Sequence, residues 1–286
     1  MLGAFVDWQV DLMAVPSIGL NDDNAIPALG LGVAELSDAE TERAVSAALE
    51  IGYRLIDTAE MYGEGGAEEV VGEAIADRRD EVFLVSKVYP HNASSRGTIA
   101  ACERSLQRLR SDRIDLYLLH WRGGHPLAET VAAFERLQGQ GKIRHWGVSN
   151  LDADEMEELA AVAGGGRCAT DQVLYNPLRR GIEWDLLPWC RERGMPVMAY
   201  SPIEQGRLPT GCALGEIARR RDHTPFQVAL AWMLAQDGVV AIPKASRIAH
   251  VDANARALQL GLTAAELAAI DRQFPPPTRK QALAML

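Results

Sequence analysis

Several features that define other protein classes are missing from this sequence of 286 residues. Aromatic residues make up only 6%, and the four cysteines include no pair spaced for a CxxC motif or a zinc cluster. No apolar run approaches the roughly 20 residues of a membrane helix. Lysine and arginine (29) are outnumbered by acidic residues (39), and the net charge of −10 argues against nucleic acid or an anionic membrane as partner.

The remaining composition is that of a globular enzyme-sized domain. With 48% hydrophobic and 24% charged residues the chain can build a large core, and about 250 residues suffice for an α/β barrel. We expect reduced cysteines in a cytoplasmic, monomeric protein. Residues 1–12 carry Asp7 and Asp11 where a signal peptide would be apolar. We therefore expect residues 1–12 to lie outside the fold and residues 13–286 to form one domain.

Short apolar runs alternate with amphipathic helical runs from residue 28 onward. Each apolar run lacks polar alternation, as is typical of a parallel strand buried on both faces. The predicted strands are Ala28–Val33, Arg54–Ala59, Val82–Lys87, Ile114–His120, His145–Asn150, Thr170–Leu174, Pro196–Ser201 and Val239–Lys244. The predicted helices are Ser37–Gly52, Thr98–Leu109, Leu127–Gln140, Asp152–Ala163, Glu183–Arg193, Pro225–Ala235, Ile248–Leu258 and Thr263–Arg272.

Eight strands separated by helices, without an interior linker, predict a single-domain (β/α)8 TIM barrel of the α/β class. The segment Ser17–Leu29 contains the turn sequence NDDN at residues 21–24. This pattern predicts a small N-terminal β-hairpin that closes the barrel floor.

Polar residues stand where the predicted strands end. Active sites of such barrels lie at the carboxyl ends of the strands. One polar residue at such a place is weak support for a site, since a capping aspartate or a core histidine explains it equally well. Here strand after strand ends in this way, at Asp57, Lys87, His120, Ser149 with Asn150, Gln172, Ser201 and Lys244.

The charged pair Asp57 and Lys87 admits two interpretations. Lys87 is either a Schiff-base nucleophile with a depressed pKa or a protonated lysine that acts on a neighbour. Tyr62, in the loop just after the second strand, favours the second, because a nearby ammonium lowers the pKa of a tyrosine from its usual value of about 10. With His120 as a hydrogen-bond donor, this set predicts proton transfer to a carbonyl oxygen.

The other strand ends suit a nicotinamide dinucleotide as hydride source. Ser149, Asn150 and Gln172 match a carboxamide, and Tyr200 offers a ring for stacking. A phosphate fits beside the start of the helix at residue 248, close to Lys244, Ser246 and Arg247. No GxGxxG follows a strand, which excludes a Rossmann site, and we interpret Gly65-Gly66 as a flexible loop.

These residues stand in segments that strongly resemble the aldo-keto reductase superfamily, in the same order along the chain. The C-terminal half is similar to the bacterial branch with methylglyoxal reductases and 2,5-diketo-gluconate reductase-like enzymes. The segments are residues 52–63 (GYRLIDTAEMYG), 84–87 (LVSK), 115–120 (DLYLLH), 141–144 (GKIR), 147–150 (GVSN), 172–176 (QVLYN), 199–202 (AYSP) and 242–244 (IPK).

The resemblance implies reduction of small aldehydes or ketones by hydride transfer, without a metal. Asp57 would pair with Lys87, which would depress the pKa of Tyr62, the general acid, while His120 orients the carbonyl. The remaining implied contacts are to the cofactor: the carboxamide by Ser149, Asn150 and Gln172, the nicotinamide ring by Tyr200, the pyrophosphate by Ser201, and the adenine side by Asn254.

NADPH is the expected cofactor, with NADH as the other possibility. The family's arginine for the 2′-phosphate is replaced by His250, and Ala253 stands where an acidic residue usually precedes the adenine-side asparagine, Asn254. Arg247 is a candidate substitute for the missing arginine.

Val33, Tyr89 and Trp121 are expected to line the substrate pocket. A short C-terminal tail predicts an open pocket for small 2-oxoaldehydes and aromatic aldehydes, because pocket contacts provide discrimination. Two other classes stay open. One is a regulatory nucleotide-binding protein without turnover on the same fold. The other is a Schiff-base aldolase or phosphate-sugar isomerase, which would need no dinucleotide site.

Overall fold

Eight parallel strands form a barrel at the centre of the computed structural model, which describes residues 14–209 and 211–286. The extension expected at residues 1–12 lies outside the described residues. In chain order the strands are β1 Ser17–Gly19, β2 Ala25–Pro27, β3 Gly30–Gly32, β4 Leu55–Asp57, β5 Phe83–Val88, β6 Ile114–Leu119, β7 Ile143–Ser149, β8 Asp171–Leu174, β9 Val197–Tyr200 and β10 Val239–Ile242.

Strands β3 to β10 pair in sequence order, each parallel to the next. Two parallel bridges, from Leu29 to Ala241 and from Gly32 to Lys244, join the first barrel strand to the last. The predicted (β/α)8 barrel is thus confirmed, and each of the eight predicted strands overlaps an observed one. Because all strands run the same way, their carboxyl ends meet at one mouth.

The predicted hairpin is formed by the antiparallel strands β1 and β2. From β2, the fully buried Ile26 enters the barrel interior, where it belongs to the same cluster as Leu55 and Leu116. From the turn, the Asn21 amide donates a 2.7 Å hydrogen bond to the carbonyl of Cys168, just before β8. Both contacts lie toward the amino ends of the strands, so the hairpin closes the floor, as predicted.

Helices surround the barrel and cover its outer face. They are α1 Asp38–Ile51, α2 Gly66–Ala74, α3 Ser95–Arg108, α4 Leu127–Gly139, α5 Ala153–Ala161, α6 Leu186–Glu192, α7 Ala213–Arg221, α8 Pro225–Leu234, α9 Ile248–Arg256 and α10 Ala264–Gln273. In the part of the chain that the structure describes, none is long and apolar enough to cross a membrane.

Helices α2 and α7 were not predicted, and the interpretation of Gly65-Gly66 as a flexible loop is wrong. Gly65 is the N-cap of α2 in the left-handed region, at φ 96°, and Gly66 is the first helical residue. A side chain at Gly65 would collide with Arg108, whose side chain lies 2.7 Å from the position of a Cβ atom there. The two glycines therefore allow α2 to begin in close contact with the Arg108 side chain, and they do not form a flexible loop.

Candidate active site

The polar residues singled out in the sequence lie around the barrel mouth. Asp57, Ser149 and Tyr200 are the last residues of β4, β7 and β9, and His120 directly follows β6. Gln172 departs from the prediction, since it is the second residue of β8 and not its end. It still lies level with the site because β8 is staggered and pairs Gln172 with Ser149.

The Lys87 ammonium is the centre of a buried polar cluster. It donates hydrogen bonds of 2.7 Å to Asp57 Oδ1, 2.9 Å to the carbonyl of Thr58 and 3.2 Å to the hydroxyl of Tyr62. Lys87 and Asp57 are 0% and 3% exposed, whereas Tyr62 is partly exposed at the mouth. The Lys87 side chain is thus fixed with its charge directed at a tyrosine that solvent and a substrate can reach.

The charges in this cluster keep Lys87 protonated. Burial lowers the pKa of Lys87, but the Asp57 carboxylate and the bonds to Asp57 and Tyr62 raise it by more, so the pKa lies above its usual value. A Schiff-base nucleophile requires the opposite shift, toward a neutral amine. The buried ion pair therefore favours the interpretation in which lysine acts on its neighbour.

Tyr62 differs in one respect from the sequence prediction. Burial raises the pKa of Tyr62, and the Lys87 ammonium lowers it by less, so that the pKa stays above its usual value. The expected lowering of the pKa by Lys87 is present, but burial outweighs it, because a desolvated hydroxyl resists ionisation. Tyr62 accordingly holds its proton at neutral pH, which is the state that a proton donor needs.

His120 is neutral and lies between aromatic rings. Burial, with a smaller contribution from the Lys87 ammonium, lowers the pKa of His120 to about 2. Its ring meets Tyr62 edge-on at 5.7 Å and Trp121 at 4.9 Å between centroids. Its Nδ1 atom is buried and has no hydrogen-bond partner among residues 14–209 and 211–286. This favours the tautomer with the proton on Nε2, because a buried unpaired donor is rarer than an unpaired acceptor.

A second hydrogen-bond network joins the residues predicted to hold a carboxamide. The Asn150 amide donates to the His120 carbonyl at 3.2 Å and to Ser149 Oγ at 3.0 Å, and its Oδ1 accepts from the Tyr200 hydroxyl at 2.9 Å. Ser149 in turn donates to the Gln172 carbonyl at 2.7 Å. Asn150 adopts the left-handed region at φ 60°, and these bonds hold it there.

The Gln172 side chain does more than the sequence indicated. Its Nε2 donates a 2.8 Å hydrogen bond to Asp57 Oδ2, the carboxylate oxygen that Lys87 does not use. Gln172 is 3% exposed, so this bond lies in the barrel interior. The residue predicted to bind a cofactor amide is therefore also a positioning residue for Asp57.

The residues predicted to bind the phosphate and the adenine side of the cofactor lie after β10 and on α9. Ser246 is partly buried, Arg247 and His250 are exposed, and Asn254 is 5% exposed. Ser201, directly after the neighbouring strand β9, lies in the left-handed region at φ 49°, and its carbonyl accepts a 2.9 Å bond from Asn176.

Lys244 has a partner that sequence reasoning missed. Its ammonium lies 2.9 Å from the Glu35 carboxylate, in the loop after β3. The sequence signal for this contact was a charged residue, Glu35, three positions after the end of β3 at the barrel mouth.

Two of the three predicted pocket residues lie together at the mouth. Tyr89 and Trp121 are partly exposed and meet edge-on, with centroids 4.9 Å apart. Glu60, another residue missed from the sequence, accepts a 2.7 Å hydrogen bond from the backbone of Tyr89 and so fixes this wall. Val33 does not line the pocket. It is fully buried with Leu31 in the layer between barrel and helices, because alternate strand residues face opposite sides.

The comparisons with known proteins agree with this geometry. The family model described as "Aldo/keto reductase family" matches residues 28–273. Methylglyoxal reductase YeaE of Escherichia coli is 52% identical over 94% of this chain and 98% of its own length, and the glyoxal reductase of Bacillus subtilis is 36% identical over 89% of this chain and 91% of its own length. A crystal structure of an aldo/keto reductase from Klebsiella pneumoniae in complex with NADP and acetate has a TM-score of 0.91 and 49% identity, covering 94% of this chain and 99% of that one. The chain belongs to the aldo/keto reductase family and is an NADP-dependent oxidoreductase.

Proposed function

We propose that this protein reduces small aldehydes and ketones, 2-oxoaldehydes such as methylglyoxal among them, with NADPH as reductant and Tyr62 as general acid. The observation that carries the proposal is the Lys87 ammonium, held 2.7 Å from Asp57 and 3.2 Å from the Tyr62 hydroxyl at the barrel mouth. The reduction of methylglyoxal and glyoxal by the relatives from Escherichia coli and Bacillus subtilis, after which they are named, supports the substrate class.

The residues at the mouth fit a nicotinamide dinucleotide. Asn150 Oδ1 accepts one bond, from Tyr200, and has a second lone pair for a carboxamide NH₂. The partly buried Tyr200 ring suits stacking. Lys244 donates a hydrogen bond to an anionic group, the Glu35 carboxylate, and the same ammonium can bind a phosphate. Ser246 and Arg247 lie beside it, before the amino end of α9.

The residues divide the chemistry among them. When bound, NADPH supplies a hydride to the carbonyl carbon. Tyr62 donates its hydroxyl proton to the carbonyl oxygen, and Lys87 stabilises the tyrosinate that remains. Asp57 keeps Lys87 charged and in place. His120, neutral and with its proton on Nε2, donates a hydrogen bond to the same oxygen as negative charge develops there.

The rival interpretations lose support from the same contacts. A Schiff-base aldolase needs a free amine, whereas Lys87 makes three hydrogen bonds and its pKa is raised. A regulatory protein that only binds nucleotide has no use for an acid, a cation and a carboxylate in contact at the mouth. We also propose a cytoplasmic location, since all four cysteines are free and buried, and a monomeric state.

The test is NADPH oxidation with methylglyoxal, compared between wild type and Tyr62→Phe. We expect the rate to fall by about 10²–10⁴, the usual contribution of a general acid, while NADPH binding is retained. Tyr117→Phe is the matched control, because Tyr117 is fully buried in the core layer that contains Phe134, where the two rings meet edge-on. Binding of NADPH without turnover of methylglyoxal or other aldehydes by the wild type would support the regulatory alternative.

A further inference from the structure

We infer that Glu35 sets the affinity for the cofactor by competing with the 2′-phosphate of NADP for Lys244. This inference rests on the proposed function, which places a cofactor phosphate at Lys244. We take this phosphate to be the 2′-phosphate, which NADP carries and NAD lacks. In the structure the Glu35 carboxylate already binds the Lys244 ammonium, with Oε2 lying 2.9 Å from Nζ. An incoming phosphate therefore has to displace a carboxylate of this same chain, and the free protein holds the site closed to weaker anions.

The position of Glu35 is specific to the site. It lies in the loop between β3 and α1, and its backbone is in the left-handed region at φ 57°, which is uncommon for a residue other than glycine. Without that conformation the loop would not direct the carboxylate as it does. Lys244 and Arg207 both hold the pKa of Glu35 below its usual value, the hydrogen bond from Lys244 being the main cause. The carboxylate thus lies between cations from the loops after β9 and β10.

Exposure determines how strong the competition is. The Glu35 side chain is 74% exposed and the Lys244 side chain 36%, and such ion pairs contribute little to stability. The pair is therefore weak enough for a phosphate to replace it. After replacement, the carboxylate remains near the phosphate and repels it, which adds to the competition. We expect removal of the charge to tighten NADP binding by about two- to tenfold.

The experiment measures the Kd of NADP⁺ and of NAD⁺ by titration of wild type, Glu35→Gln and Glu50→Gln. Glu50→Gln is the matched control, since it removes the same charge and an exposed ion pair of 3.2 Å to Arg78 at the far end of α1. We expect Glu35→Gln to tighten NADP⁺ binding, to affect NAD⁺ much less, and to lose its advantage as salt is raised. Glu50→Gln should bind as the wild type does.

A double-mutant cycle with Lys244→Met shows whether the effect passes through this lysine. The gain from Glu35→Gln should disappear when Lys244 is absent. An unchanged or weaker NADP⁺ affinity in Glu35→Gln, a gain that persists without Lys244, or an equal gain for NAD⁺ would each overturn the inference. Failure of the wild type itself to bind NADP⁺ would instead overturn the proposed function, so the two failures are distinguishable.

Discussion

At the scale of single residues, the catalytic geometry depends on side chains that never touch the substrate. Asp57 is held from two directions, by Lys87 at Oδ1 and by the Gln172 amide at Oδ2. All three side chains are buried, so no water replaces a lost partner. An unsatisfied buried oxygen costs roughly 1–3 kcal/mol.

Replacement of Gln172 should therefore impair turnover. We expect Gln172→Leu to lower kcat about tenfold or more at saturating NADPH, because Asp57 Oδ2 loses its partner and Asp57 and Lys87 lose their fixed position. The KM for the carbonyl substrate should change less than kcat. Gln227→Leu is the control, since Gln227 is also buried and its side chain bonds only within the capping box of α8 among the described residues. Equal effects of both variants on kcat would mean that Gln172 is only structural.

Residue identities in the site were within reach of the sequence, but several contacts were not. Asp57 and Lys87 were predictable as neighbours because consecutive strands pair in a barrel. The bond between Gln172 and Asp57 joins residues 115 apart and depends on strand stagger, which no local pattern encodes. The net pKa shift of Tyr62 was missed for a related reason, since the degree of burial at the mouth follows from the folded loops.

At the scale of elements, α2 is attached to its neighbours by a buried carboxylate. Glu68, 0% exposed, accepts a 2.7 Å bond from Arg108 Nε on α3 and a 2.5 Å bond from Ser86 on β5. We expect Arg108→Met to lower the free energy of unfolding by about 3–5 kcal/mol, because it leaves the Glu68 charge buried and unpaired. Urea denaturation measures the change.

The control for that experiment lies two residues away. Arg110→Met breaks the ion pair between Arg110, just after α3, and Glu73 on α2, but these side chains are 62% and 57% exposed. Such exposed pairs contribute roughly 0–1 kcal/mol. If Arg108→Met destabilises the protein no more than Arg110→Met, the buried contact does not hold α2 in place.

The two helices that sequence patterns did not predict, α2 and α7, escaped prediction for different physical reasons. Helix α2 contains glycine at residue 72, where a Cβ atom would lie 2.6 Å from the backbone of Leu109, so close packing and not helix propensity selects the residue. Helix α7 is short and ends in the basic run Arg219–Arg221, which resembles a solvated loop. The predicted helices α1 and α4, by contrast, are 14 and 13 residues long, whereas α2 and α7 have 9 residues each, so more positions carry the helical pattern in α1 and α4.

At the scale of the whole molecule, closure of the barrel brings the first and last barrel strands together at the site. The bridge between Gly32 and Lys244 joins residues far apart in sequence, and Glu35 follows Gly32 by three residues. The ion pair of Glu35 with Lys244 therefore spans 209 residues and exists only in the closed barrel. The (β/α)8 architecture was predictable from strand count and order, whereas this pair was not, since it depends on the conformation of one loop residue.

The free energy of unfolding should depend on pH in a way that shows whether His120 is protonated in the folded protein. Its pKa is lowered to about 2 in the folded protein, whereas an unfolded histidine has a pKa of about 6.5. As pH falls below about 6.5 the unfolded chain takes up a proton that the folded site does not, so stability is lost toward acid pH. Between pH 7 and pH 5, this one group should remove about 2 kcal/mol.

Chemical denaturation of wild type and His120→Asn at these two pH values measures the effect. Whatever its stability at pH 7, the variant should lose about 2 kcal/mol less than the wild type on going to pH 5. His145, whose pKa burial also lowers despite the nearby Asp22 carboxylate, is present in both proteins and cancels in the difference. His91→Asn, which removes an exposed histidine, is the matched control. The same loss in wild type and His120→Asn would mean that folded His120 accepts a proton in this range, and it would then act as an ionised donor to the carbonyl oxygen instead of a neutral one.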